Sequence, residues 1–341
     1  MKKLIAAAVA TSVSAIAMAD VSITGNANYE YFHSEANGYN TNYGDTEINL
    51  SVQGKTGDTT VVANFEVTHH GNDASGALDI EDTYMTTKIG DVNVKAGNFA
   101  SGTTALGGEI DQGSRATNKV DLNTKVGSAT VGFAQALGTS ASDADGTDSA
   151  AVYASMDIAG VTVSVKEESD SYTIVGAKGS VNGINFRVEQ KDNDSATVGD
   201  VLFYDIGSSF NGLNVSYAVL DADKSVSTAS TAGAVTEGDS SVFAQELATD
   251  SDSKMKANVD GINQVTVGTT IDGTAVKLRV GEITGAAGYQ DAAFSRIEAS
   301  RALAGGATLT VSYDDYEATG KTTSQTMTDT QLLEIDLAVK F

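Results

Sequence analysis

Residues 331–341 read QLLEIDLAVKF, and the chain ends on that phenylalanine. Leu333, Ile335, Leu337, Val339 and Phe341 alternate with Leu332, Glu334, Asp336, Ala338 and Lys340. A period of two marks a β-strand with one apolar and one polar face. The strand stops on its apolar beat, with a large aromatic. Such an ending suits the last strand of a transmembrane barrel, whose outer face meets lipid and whose edge pairs with the first strand.

The opposite end carries MKKLIAAAVATSVSAIAMA over residues 1–19. Lys2 and Lys3 form a basic start, Leu4 to Ile16 an apolar stretch, and Ala17-Met18-Ala19 a small-x-small cleavage site. This pattern predicts an export signal removed before Asp20. After it, no run of 18 apolar residues follows, so a membrane-spanning helix is not expected. Residues 20–341 then form one barrel domain.

Composition supports that class. The chain has 45 acidic and 21 basic residues and a formal charge of −24. That balance opposes nucleic-acid binding, which needs a basic footprint. Cysteine is absent, which excludes disulfides and thiolate metal sites. Proline is also absent, as suits a sheet in which most backbone donors are needed for ladders. A hydrophobic fraction of 41% fits strands that are apolar on one face only.

Turn signals recur between alternating segments: Gly57-Asp58, Gly90-Asp91, Gly127-Ser128, Ala159-Gly160, Asn182-Gly183, Asn211-Gly212, Asp272-Gly273 and Gly305-Gly306. Asn-Gly and Asp-Gly are strong hairpin dipeptides. Longer polar stretches lie between these turns, so short and long connections alternate. Tight turns on one side and longer loops on the other are the expected asymmetry of an outer-membrane barrel. The count is 18 strands, or 16 if one hairpin is misread. Tyr29, Tyr31, Tyr153, Tyr172, Tyr313 and Tyr316 are candidates for interfacial aromatic belts, since tryptophan is absent.

The leader MKKLIAAAVA…AMA, the opening strand VSITGNANYEYF, the segment VNVKAGNF and the closing LLEIDLAVKF together resemble a Gram-negative general diffusion porin. The resemblance implies a 16-stranded homotrimer in the outer membrane. It also implies passive passage of small hydrophilic solutes and ions, without cofactor or catalysis. A third loop folds into the lumen in that family; here it follows the strand Val92–Phe99 and spans residues 100–117. Glu109, Asp111 and Arg115 are then the constriction candidates. The family's Pro-Glu-Phe-Gly element is missing. Phe341, Val339 and Leu337 would be the signal read by the outer-membrane assembly machinery.

The wall candidates are Glu47, Glu66, Lys88, Lys95, Arg187, Arg279 and Arg296. The five arginines are Arg115, Arg187, Arg279, Arg296 and Arg301, so none falls on strands one to five. Acidic rings favour cations, so a weakly cation-selective pore is expected. Two alternatives stand: a substrate-specific channel using Lys277, Arg279 and Arg296, or a secreted β-structural adhesin with a dry interior. Asp143-Ala-Asp145-Gly-Thr-Asp148 fails the glycine and glutamate positions of a calcium loop. His69-His70 lacks a third ligand in sequence. Three histidines and no nucleophile motif leave little for catalysis, so an enzyme is not expected.

Overall fold

The computed structural model describes residues 20–36, 39–70, 77–101, 110, 114–136, 150–194, 199–223, 243, 259–285, 291–319 and 330–341. Its strands are β1 Asp20–Ala36, β2 Tyr39–Thr56, β3 Thr59–His70, β4 Ala77–Ile89, β5 Val92–Ser101 and β6 Ser114–Val126. They continue as β7 Ala129–Ala136, β8 Ala150–Ile158, β9 Val161–Glu168, β10 Tyr172–Val181, β11 Ile184–Asn193 and β12 Val201–Phe210. The last six are β13 Leu213–Ala222, β14 Val259–Ile271, β15 Thr274–Gly285, β16 Asp291–Ala302, β17 Ala307–Thr319 and β18 Thr330–Lys340. Each strand pairs antiparallel with the next, and β18 pairs with β1, so the 18-stranded sheet closes on itself. The longer strand count is the observed one, two above the count implied by general diffusion porins. Closure removes the sheet edges that would otherwise be unsatisfied in lipid.

The tight turns fall where the dipeptides place them. Four hairpins have both central residues at positive φ: Ala159-Gly160, Asn182-Gly183, Asn211-Gly212 and Asp272-Gly273. This is the type I′ geometry whose twist matches paired strands. At Gly57, Gly90 and Gly127 only the first central residue is left-handed, which is the II′ pattern. The short Ser169–Ser171 connection is a true turn, closed by the Ser171 N–H donating to the Glu168 carbonyl at 3.1 Å.

The seam is sealed at its end by Phe341. Its N–H donates to the Gly25 carbonyl at 3.0 Å, and its carbonyl accepts from the Gly25 N–H at 2.9 Å. A Cβ on Gly25 would meet the Phe341 ring at 2.9 Å, so the absent side chain makes the seat for that ring. Phe341 is 59% exposed and lies in the outer apolar face with Leu337 and Val339.

Two faces follow from the register. Leu78, Ile80, Ile89, Val126, Ile158, Phe210 and Ile271 are all exposed on the outside. The other face is the interior, because its side chains reach across intervening strands. Tyr153 on β8 donates to Asp121 on β6 at 2.7 Å, and Arg296 on β16 reaches Glu334 on β18 at 3.3 Å. An apolar outside around a charged inside is the reverse of a soluble sandwich with a dry core. Parity divides the tyrosines. Tyr29, Tyr31 and Tyr313 face outward with Tyr204 and Tyr217, whereas Tyr153, Tyr172 and Tyr316 face inward and do not join a belt.

Candidate functional site: the barrel interior

An 18-stranded barrel is too wide for wall side chains to fill, so the chemistry of its inner surface decides what it can do. That surface divides into three arcs.

The first arc, on β18 and β1–β4, is acidic. Glu30 stands among Asp45, Glu47, Glu334 and Asp336. Glu66 stands among Glu47, Asp79 and Glu81. A bulge in the β3–β4 register, between Ala63 and Phe65, sets Asn64 against Glu81 and Asp82. Asn64 donates to Asp82 at 3.3 Å. One extra residue therefore adds a second carboxylate at the same level of the wall. Asn49 also donates to Glu47. A cavity of about 540 Å³ borders this arc, lined by Thr24, Asn49, Ser51, Asn64, Glu81 and Tyr84 among others. In the observed register Glu47, Glu66, Lys88 and Lys95 share the inner face of β2–β5. Lys95 does not project freely. Its Nζ sits 3.9 Å from the Tyr84 ring centroid and 4.1 Å from that of Phe99, a pair of cation–π contacts.

The second arc, on β9–β12, concentrates cations. Lys166 donates to the Tyr172 hydroxyl at 2.7 Å, and that hydroxyl donates to Glu168 at 2.7 Å. Lys191 lies 4.1 Å from the Tyr172 ring centroid. Arg187 places its guanidinium 4.6 Å from the Phe203 ring centroid and 3.7 Å from Glu189.

The third arc, on β15–β18, holds Lys277, Arg279 and Arg296 in one network. Lys277 and Arg279 each reach Glu298 at 3.2 Å. Arg296 contacts Asp314 at 3.3 Å, Glu334 at 3.3 Å and Glu298 at 3.8 Å. Arg296 and Asp314 are both buried. These three cations are thus engaged by carboxylates of their own wall, and only Lys277 keeps substantial exposure. The pairing of Arg296 crosses from β16 to β18 and is invisible in local sequence.

At the loop end, the inner face of β10 and β12–β18 turns apolar. Ile174, Val201, Phe203, Leu220, Ile283 and Phe294 are buried there, and the cluster also takes in Ile110 and Phe243. Phe203 and Phe243 meet edge to face with centroids 5.9 Å apart. The alternation rule alone missed this patch, because inner and outer positions are both apolar over Val201-Leu202-Phe203-Tyr204.

The constriction candidates divide differently. β5 runs to Ser101 and β6 starts at Ser114, so the connection is 102–113, shorter than the expected 100–117. Glu109 and Asp111 lie outside the described residues, as do residues 1–19 and Asp143 to Asp148. Arg115 belongs to β6 and pairs with Ala100. Among the described residues, no group of three or more histidine and carboxylate side chains gathers in a metal-binding arrangement.

No protein-family model and no curated protein matches the chain in sequence. Solved structures do match its fold. Pseudomonas aeruginosa OccK8 (OprE) aligns with a TM-score of 0.63 at 11% identity, covering 94% of this chain and 98% of that one. Pseudomonas aeruginosa OpdL aligns with a TM-score of 0.64 at 9% identity, covering 94% and 99%. Pseudomonas aeruginosa OccK2 (OpdF), solved in complex with glucuronate, aligns with a TM-score of 0.63 at 10% identity, covering 94% and 98%. The likeness spans nearly the whole of each chain, and it establishes the closed barrel as a fold this chain shares with them.

Proposed function

We propose that this protein is an outer-membrane porin: a water-filled channel for passive diffusion of small hydrophilic solutes and ions, with a weak preference for cations. The observation that carries the reading is the acidic arc. Glu30, Asp45, Glu47, Glu66, Asp79 and Asp336 stand on adjacent strands of one inner wall. Arg279 and Arg296, on the neighbouring strands β15 and β16, are drawn into ion pairs. A net negative potential in a low-dielectric tube raises the local cation concentration. The export leader and the C-terminal Leu337, Val339 and Phe341 support delivery to the outer membrane through the assembly machinery. Assembly as a homotrimer, with Glu109 and Asp111 on an inward third loop and Arg115 on the adjoining strand β6, completes this reading. Reversal potential in a salt gradient tests it: the sign should report cation preference, and a clear anion preference refutes it.

A second reading is a substrate-specific channel. It is favoured by the likeness to a barrel solved with glucuronate and by the cation-rich arc carrying Lys166, Lys178, Arg187 and Lys191. Saturable block of conductance by a sugar acid would support it over general diffusion.

A further inference from the structure

Towards the turn end, the wall that carries the acidic arc loses its charge. The inner positions of β1 pass from Glu30 to Asn28, Asn26 and Thr24. Those of β2 pass from Glu47 to Asn49, Ser51 and Gln53, and β3 passes from Glu66 to Asn64. Across the ladders Asn26 faces Asn49, Thr24 faces Ser51, and Ser51 faces Asn64. This amide and hydroxyl patch lines the cavity of about 540 Å³. Small-molecule sites span ~300–1,000 Å³, so the space suits a solute of one or two rings. The ionised side chains of the lining are one of each sign, Glu81 and Lys340. Two carboxylates beside the cavity orient its amides. The Asn49 Nδ2 donates to Glu47, and the Asn64 Nδ2 donates to Asp82 at 3.3 Å. With those donors engaged by the wall, the amide oxygens remain to accept. Lys340 and the Tyr84 hydroxyl supply donors. Tyr84 is itself held in place. The Lys95 ammonium lies 3.9 Å from its ring centroid, and the Phe99 ring meets it edge to face at 5.9 Å.

We infer that this cavity is a subsite for neutral polyhydroxyl solutes, saccharides of one or two rings. The inference rests on the channel reading above and names a solute class for one stretch of its wall. A sugar hydroxyl donates and accepts through one atom, and a pyranose carries several of them closely spaced. Fixed amide oxygens beside hydroxyls and an ammonium match that alternation. An ammonium solute offers donors only and would set a like charge beside Lys340. A carboxylate solute offers acceptors only, so it would leave the Asn49 and Asn64 oxygens unmatched and would meet Glu81. The aromatic surface of Tyr84 suits the C–H side of a pyranose. In its chemistry this patch therefore differs both from the carboxylates above it and from the cation-rich arc on β9–β12.

Saturation-transfer NMR on the refolded barrel in detergent reads binding without any current. Glucose, maltose and sucrose are the probes, with putrescine and glucuronate as charged competitors. Saturable transfer to at least one sugar is expected, undiminished by either competitor at equal concentration. No saturable transfer to any of the three overturns the subsite. Displacement of the sugar by putrescine or by glucuronate overturns the neutral class. In Asn49→Ala/Asn64→Ala the affinity should fall about tenfold, the loss of two hydrogen bonds. Unchanged affinity in that variant, with heat-modifiable migration kept, overturns the assigned lining. Should the double variant misfold, Asn26→Ala carries the same test with a loss of about three-fold. In planar bilayers the bound sugar should lower the single-channel current saturably. If the wild-type protein passes no current, the channel reading fails by itself, and the NMR titration still decides whether the subsite exists.

Discussion

Replacing Arg296 with methionine separates a structural cation from a solute-binding one. The Arg296 side chain is 7% exposed and holds Asp314, itself 1% exposed, at 3.3 Å. It also holds Glu334 at 3.3 Å. Glu298 is less dependent on it, because Lys277 and Arg279 lie 3.2 Å from that carboxylate. The substitution keeps most of the side-chain volume but leaves Asp314 as a buried charge without its cation. Breaking a buried pair in this way costs about 3–5 kcal/mol. Lumen water reaches Glu334 and recovers part of that, so a loss of about 3 kcal/mol is expected, or on the order of a 100-fold change in the folded-to-unfolded ratio. Urea titration of the protein in lipid vesicles, read by heat-modifiable migration, measures it. Arg296→Met/Asp314→Asn should recover at least half of the loss, since the stranded charge is then gone. A loss below about 1 kcal/mol, or no recovery in the double variant, refutes the network as a structural element. A variant of full stability that loses block by an anionic solute would return Arg296 to the solute-binding role.

Three further outcomes follow from the same geometry. Deleting Phe341 removes both hydrogen bonds to Gly25 and the ring that seats on it; export should persist while the heat-modifiable fraction in the outer membrane falls sharply, and wild-type levels of folded barrel would contradict this. Gly183→Val forces a β-branched residue into a φ of +80° and should cost about 1–2 kcal/mol in the same urea assay, whereas Gly54→Ala, with open space at its Cβ, should be close to neutral. Glu47→Gln/Glu66→Gln should lower the cation-to-anion permeability ratio without changing urea stability by more than about 0.5 kcal/mol, because both side chains are only partly buried.

Much of the architecture was legible in local patterns, for physical reasons. Turn dipeptides such as Asn182-Gly183 encode positive φ directly, so the turns placed correctly from sequence define the strands between them. The closing strand was legible because its apolar beat runs unbroken from Leu333 to Phe341. Tyrosine placement was readable only by parity. Tyr313 and Tyr316 are three residues apart and so must face opposite sides, yet proximity to a strand end suggests the same belt for both. What could not be read is non-local. The pairing of Arg296 with Glu334 joins strands two apart in the sheet and 38 residues apart in sequence. The bulge that adds Asp82 beside Glu81 leaves no sign in the sequence. The apolar inner wall was hidden because its strands are apolar on both faces at the loop end, where periodicity carries no information.

Planar-bilayer recording of the purified, refolded protein tests the central claim most directly, that the charged interior is a continuous aqueous path. The account predicts discrete, ohmic conductance steps in potassium chloride, with a reversal potential in a salt gradient on the cation-selective side. Steps arriving in groups of three would add the trimer. Protein that migrates as a folded, heat-modifiable barrel and inserts into the bilayer, yet passes no current above the lipid alone, would contradict it.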